Sequence, residues 1–62
     1  MTLGQRIKAL RKQRKMTQVE LAVEVHLSPS YISAIEQNVR QPSLRTLNKI
    51  GRALGVPTKK LL

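Results

Sequence analysis

The sequence predicts a small all-α domain. Apolar residues recur at steps of three and four, hydroxyl side chains stand where such stripes begin, and nothing reads as a strand, a repeat or a low-complexity segment. Leu3, Ile7 and Leu10 mark one face and Lys8, Lys12 and Lys15 another, so residues 2 to about 14 form a first amphipathic helix. Thr17 followed by Glu20 is a capping-box pattern, and Leu21, Ala22 and Val25 supply the stripe of a second helix from about 18 to 25. Ser28 before Pro29 repeats the start signal, because the hydroxyl accepts from an orphan N–H and proline has none to strand. The third helix turns Ile32 and Ile35 inward and ends near Glu36. Gln37 to Pro42 lack an apolar period and read as a surface loop. Ser43 then caps a fourth helix with Leu44, Leu47, Ile50 and Leu54 on its stripe, stopped by Gly55. Val56-Pro57-Thr58 interrupts the pattern, and Lys59 to Leu62 form one further turn that lays Leu61 or Leu62 on the core.

With 62 residues, the chain from 1 to 62 is a single domain with one core. Such a domain buries only about 60% of the surface its unfolded chain exposes, so stability is modest. With no cysteine and a single histidine, neither a disulfide framework nor a structural zinc site has its ligands. Catalysis is poorly supplied as well: there is no aspartate, the acids are Glu20, Glu24 and Glu36, and His26 is the one imidazole. The reading is a binding module that is not an enzyme and carries no cofactor or metal. No small-molecule effector is evident. Twelve Lys and Arg against three acids give a formal charge of +9, which points to a polyanionic partner. No apolar run is long enough to span a membrane and the start lacks a secretory apolar segment, so the expectation is a soluble, cytoplasmic protein. The 40% apolar content with regular spacing argues against a disordered basic tail.

Two short helices separated only by Val25 to Ser28, inside a basic helical domain, have the layout of a helix-turn-helix. At Thr17-Gln18-Val19-Glu20-Leu21-Ala22, Ser28-Pro29-Ser30-Tyr31-Ile32-Ser33-Ala34-Ile35-Glu36, Gln41-Pro42-Ser43-Leu44 and Leu54-Gly55-Val56 the chain resembles the lambda-repressor-like (XRE) DNA-binding domains. The resemblance runs from Gly4 to Leu62. It implies a compact five-helix domain, with helices two and three as the helix-turn-helix, that binds operator DNA, usually as a dimer. Two positions depart from the family pattern: His26 stands where glycine is common in the turn, at the cost of a left-handed conformation, and Val39 stands where a basic residue is frequent.

In this geometry the start of the second helix of the motif meets base edges while the preceding helix crosses the backbone. The resemblance assigns DNA contact to Gln18, Ser28, Pro29, Ser30 and Ser33. Ala34 lies near the same face, and Tyr31, about 100° round the helix from Ile32, joins it. The recognition helix holds no Arg, Asn or Gln before Gln37, so the bidentate readers of guanine and adenine are missing from it. Reading should then rest on hydroxyls, on thymine methyl contacts by Pro29 and Ala34, and on DNA shape. Phosphates are left to Gln18, Arg40 and the N–H groups behind Ser43. Lys8, Lys12, Lys15, Lys49, Arg52, Lys59 and Lys60 form solvated faces whose field adds non-specific affinity.

Glu36 ends the recognition helix where the dipole is negative and a phosphate backbone lies close, so its carboxylate needs a cation. Arg11, at the edge of the first buried stripe, is the partner that family members often use. One recognition helix without bidentate readers is too weak to select an operator, which leads to a symmetric homodimer on double-stranded DNA. The expected dimer surface is Val56, Pro57, Leu61 and Leu62 with the loop before helix four. The reading is a transcriptional regulator, whether a phage-type repressor, a restriction-modification controller or a toxin-antitoxin autoregulator. The competing reading is an antitoxin or other partner-binding module with secondary DNA binding; a membrane-active helix is disfavoured because the apolar residues are divided among several capped helices.

Overall fold

Four hydroxyl residues start the four α-helices of the computed structural model, which describes all 62 residues. The helices are α1 (Leu3–Gln13), α2 (Gln18–Val25), α3 (Pro29–Glu36) and α4 (Leu44–Leu54). Thr2, Thr17, Ser28 and Ser43 each accept from the N–H three residues on, and Gln5 and Glu20 return the bond to the cap's own N–H in α1 and α2. In place of a fifth α-helix there is a single 3-10 turn, Thr58–Lys60. Pro57 stands before it without a side-chain acceptor, and three residues close only one turn. No helix is long and apolar enough to cross a membrane.

All four helices also end alike. Lys15, His26, Asn38 and Gly55 have φ of 57°, 59°, 62° and 74°, the left-handed region. The next residue's N–H then reaches back five positions: Met16 to Arg11, Leu27 to Ala22, Val39 to Ala34 and Val56 to Gly51, at 2.9–3.1 Å. Met16, Leu27 and Val56 go on to pack against the core, as the residue after such a cap commonly does, whereas Val39 stays exposed.

The core is one cluster: Ile7 of α1, Leu21, Ala22 and Val25 of α2, Ile32 and Ile35 of α3, Leu47, Ile50 and Leu54 of α4, and Leu61. Burying each large aliphatic side chain stabilises the fold by about 1.5–3 kcal/mol before conformational entropy is set against it. Two expectations are corrected here. Leu44, placed on the α4 stripe, is 64% exposed, because it stands at the first helical position, before the stripe of Leu47, Ile50 and Leu54 turns inward. Leu61, expected on a dimer surface, is fully buried: the 3-10 turn folds it back beside Gly51, whose missing side chain lets the Val56 carbonyl approach α4, while Leu62 stays outside.

Gly4 allows the closest backbone approach. A β-carbon there would lie 2.5 Å from the Glu36 carbonyl oxygen and 2.8 Å from Asn38 Oδ1, so the start of α1 sits directly on the end of α3. Asn38 closes that contact by accepting from the Gly4 N–H at 3.0 Å and donating to the Thr2 hydroxyl at 2.8 Å.

Candidate nucleic-acid interface

The helix-turn-helix is α2, the turn His26–Ser28, and α3. His26 takes φ 59° and ψ 43°, the left-handed conformation that the family's usual glycine would adopt freely. Ile32, Ile35 and Glu36 lock one side of α3 into the protein, which leaves the opposite side outward. Pro29 and Ser30 are exposed there, and Ser33 and Ala34 are half-buried. The Ser28 hydroxyl accepts from the Tyr31 N–H at 3.1 Å, so its own proton remains free to donate. Tyr31 is half-buried at the edge of the core, between the two sides.

Gln37 lies beyond the apolar period, which stops at Glu36 and predicts a loop there, yet it stands one turn after Ser33 and on the same side. Its amide donates to the Ser33 hydroxyl at 2.8 Å. The signal that finds it is the i, i+4 relation to Ser33, which holds whether or not the helix formally includes it. This surface thus offers hydroxyls, two small apolar groups and, at its far end, one carboxamide.

Around it stand groups suited to anions. At the start of α2 the Thr17 hydroxyl takes the Glu20 N–H, leaving those of Gln18 and Val19 open; at the start of α4 Ser43 takes that of Thr46, leaving Leu44 and Arg45. Arg40 is exposed in the intervening loop. Gln18 is more constrained than its sequence position suggests: it is half-buried, and its Nε2 donates to Glu36 Oε1 at 3.0 Å.

Glu36 is the centre of a buried polar network. Arg11 Nε donates to Oε2 at 2.7 Å and Nη2 to Oε1 at 3.1 Å, while Nη1 holds the Met16 carbonyl at 2.7 Å. The side chains are 8% and 2% exposed, and this is the one ion pair in the molecule. Burial alone would raise the Glu36 pKa, but the hydrogen bonds from Arg11 and Gln18 and the charges of Arg11 and Lys8 outweigh it, holding the carboxyl below the ordinary glutamate range. The other two acids, Glu20 and Glu24, line a groove with Val19 and Val23 that α3 does not border. Of the expected dimer residues, Pro57 and Leu62 are exposed, Val56 is half-buried, and Leu61 belongs to the core.

A helix-turn-helix family model matches residues 7–61. The immunity repressor protein of Bacillus phage phi105 is 50% identical over 62 residues, all of this chain and 43% of the repressor. Control protein C.BamHI of Bacillus amyloliquefaciens is 43% identical over 60 residues, 95% of this chain and 74% of its own length. The chain therefore spans under half of the first relative and about three quarters of the second. The P22 c2 repressor, solved in complex with a synthetic operator, superposes with a TM-score of 0.95 at 32% identity, covering 100% of this chain and 94% of that one. Fold and sequence agree, and the chain belongs to the lambda-repressor-like (XRE) helix-turn-helix family.

Proposed function

We propose that the chain is the sequence-specific, double-stranded DNA-binding module of a transcriptional regulator, acting in the cytoplasm as a homodimer on a near-palindromic operator. The observation that carries this reading is the outward side of α3, where Pro29, Ser30, Ser33, Ala34 and Gln37 form a low surface, next to open N–H groups at the start of α2 in a chain of charge +9. Low side chains let a helix sit deep in the major groove, and hydroxyls pair with several base edges. Ser28 and Tyr31 flank this surface. Gln18, Arg40 and the α4 start behind Ser43 take phosphates, which set register without reading sequence.

The dimer surface in this reading is Val56, Pro57 and Leu62, extended by exposed Leu44 at the start of α4. Leu44 and Asn48 share a face of α4, and the Thr58 hydroxyl donates to Asn48, which ties that face to the segment after Pro57.

Selection from random duplexes tests the reading. One symmetric motif should be enriched, with log affinity falling linearly with log salt. Ser30→Ala should change the preferred bases, while Arg40→Ala should weaken all sequences about equally. If no duplex is enriched and binding is insensitive to salt, the partner-binding alternative stands instead.

A further inference from the structure

Glu36 is enclosed by protein, yet it holds Gln18, a residue assigned to a DNA phosphate. We propose that Glu36 is a positioning residue for DNA binding: it fixes the direction of the Gln18 carboxamide so that the second N–H of Nε2 is presented to a phosphate at the start of α2. This rests on the phosphate role given to Gln18 above.

A glutamine amide has two orientations, and its surroundings choose between them. Here the choice is forced, because an ionised carboxylate only accepts; turning Oε1 toward Glu36 would set lone pairs against negative charge. The Gln18 nitrogen carries two protons, and the 3.0 Å bond to Glu36 Oε1 uses one. Glu36 cannot follow a movement of Gln18, since Arg11 grips both of its oxygens. Arg11 is in turn tied to the Met16 carbonyl, two residues before Gln18. The chain from Met16 through Arg11 and Glu36 to Gln18 thus returns to the segment where it starts, and it orders the donor before DNA arrives. A side chain ordered in advance forfeits less entropy on binding. The Gln18 and Val19 N–H groups are open on the same first turn, so a phosphate held by the amide would lie near further unpaired donors.

The test uses a mixed-sequence duplex of about twenty base pairs at low salt, because phosphate contact does not need the operator. Gln18→Ala should weaken binding about tenfold, Glu36→Gln by a similar factor, and the double variant no further than either, since both remove the same donor. In the unsubstituted protein, one of the two Gln18 side-chain N–H resonances should shift on adding duplex while the one bonded to Glu36 stays. If Gln18→Ala leaves affinity unchanged, the phosphate role itself is wrong. If it weakens binding but the two substitutions add, or both resonances move together, the contact stands and the positioning role is overturned. The resonance measurement needs no variant, so it decides the matter even if Glu36→Gln does not fold.

Discussion

His26 and Asn38 share the left-handed region, at φ 59° and 62°, and for opposite reasons. The exposed His26 side chain forms no hydrogen bond that would repay the conformation, whereas Asn38 uses its amide on both Gly4 and Thr2. His26→Gly should therefore stabilise by about 0.5–1 kcal/mol and raise the melting temperature by a few degrees. Asn38→Gly should lower it, because relieved strain does not make up for two lost bonds; thermal unfolding that moves both the same way would contradict this account. Glu36 gives a pH signature. Its folded-state pKa lies below the ordinary value of 4.5, so its contribution is full above that value and is lost as pH falls through the depressed one. Glu36→Gln should cost on the order of 3 kcal/mol at neutral pH, by leaving Arg11 buried without its counter-charge. The stability curves of parent and variant should converge only below pH 4.5; curves that run parallel down to pH 3 would show that the pair carries no charge-dependent stability.

At the scale of elements, the starts and the ends of the helices are both legible to about a residue, but the way the ends are built is not. Thr17, Ser28 and Ser43 announce α2, α3 and α4 through a mechanism that any reader of side-chain chemistry can apply. The left-handed terminations at Lys15 and Asn38 carry no such mark, since glycine, the usual sign, appears only at Gly55. His26 was legible only as a departure from the family pattern. Apolar spacing identifies Ile7, Leu21, Ile32 and Ile50 correctly and lays Leu61 or Leu62 on the core, but it also credits Leu44 with the core, and the dimer reading claims Leu61 for a surface, because periodicity gives a face and not the point at which that face meets another element. The residues of the α3 surface could be read from their order, while the bond between Gln18 and Glu36 could not: it depends on how α2 crosses α3. That crossing also depends on the contact between α1 and α3. Gly4→Ala would drive a methyl group into the Ile35 and Glu36 carbonyls, which are backbone and cannot swing aside. A loss of about 1–3 kcal/mol in denaturant unfolding is expected; an alanine variant as stable as the parent would mean that α1 shifts freely on α3.

The whole molecule measures 23 × 23 × 20 Å, so at 3.4 Å per base pair one copy covers roughly seven pairs. That is short for an operator, and it is the physical reason to expect two copies. Leu62→Gln, at an exposed position of the expected dimer surface, should abolish cooperative filling of paired half-sites while leaving single half-site affinity and folding nearly intact, whereas Leu61→Ala should cost about 2–5 kcal/mol of stability. If Leu61→Ala instead spared folding and removed cooperativity, the C-terminal turn would be docked on a second copy and not on its own core. The contact between Gly4 and Asn38 joins positions 34 residues apart, and it changes how the molecule breathes. Amide protons in the first turn of a helix usually trade with solvent freely, since nothing within the helix holds them. Gly4 is buried and its proton is held by a side chain just beyond α3, so it is released only when the front of the chain lifts away from the end of the recognition helix. Isotope exchange at that one amide therefore reports separation of the front of α1 from the end of α3.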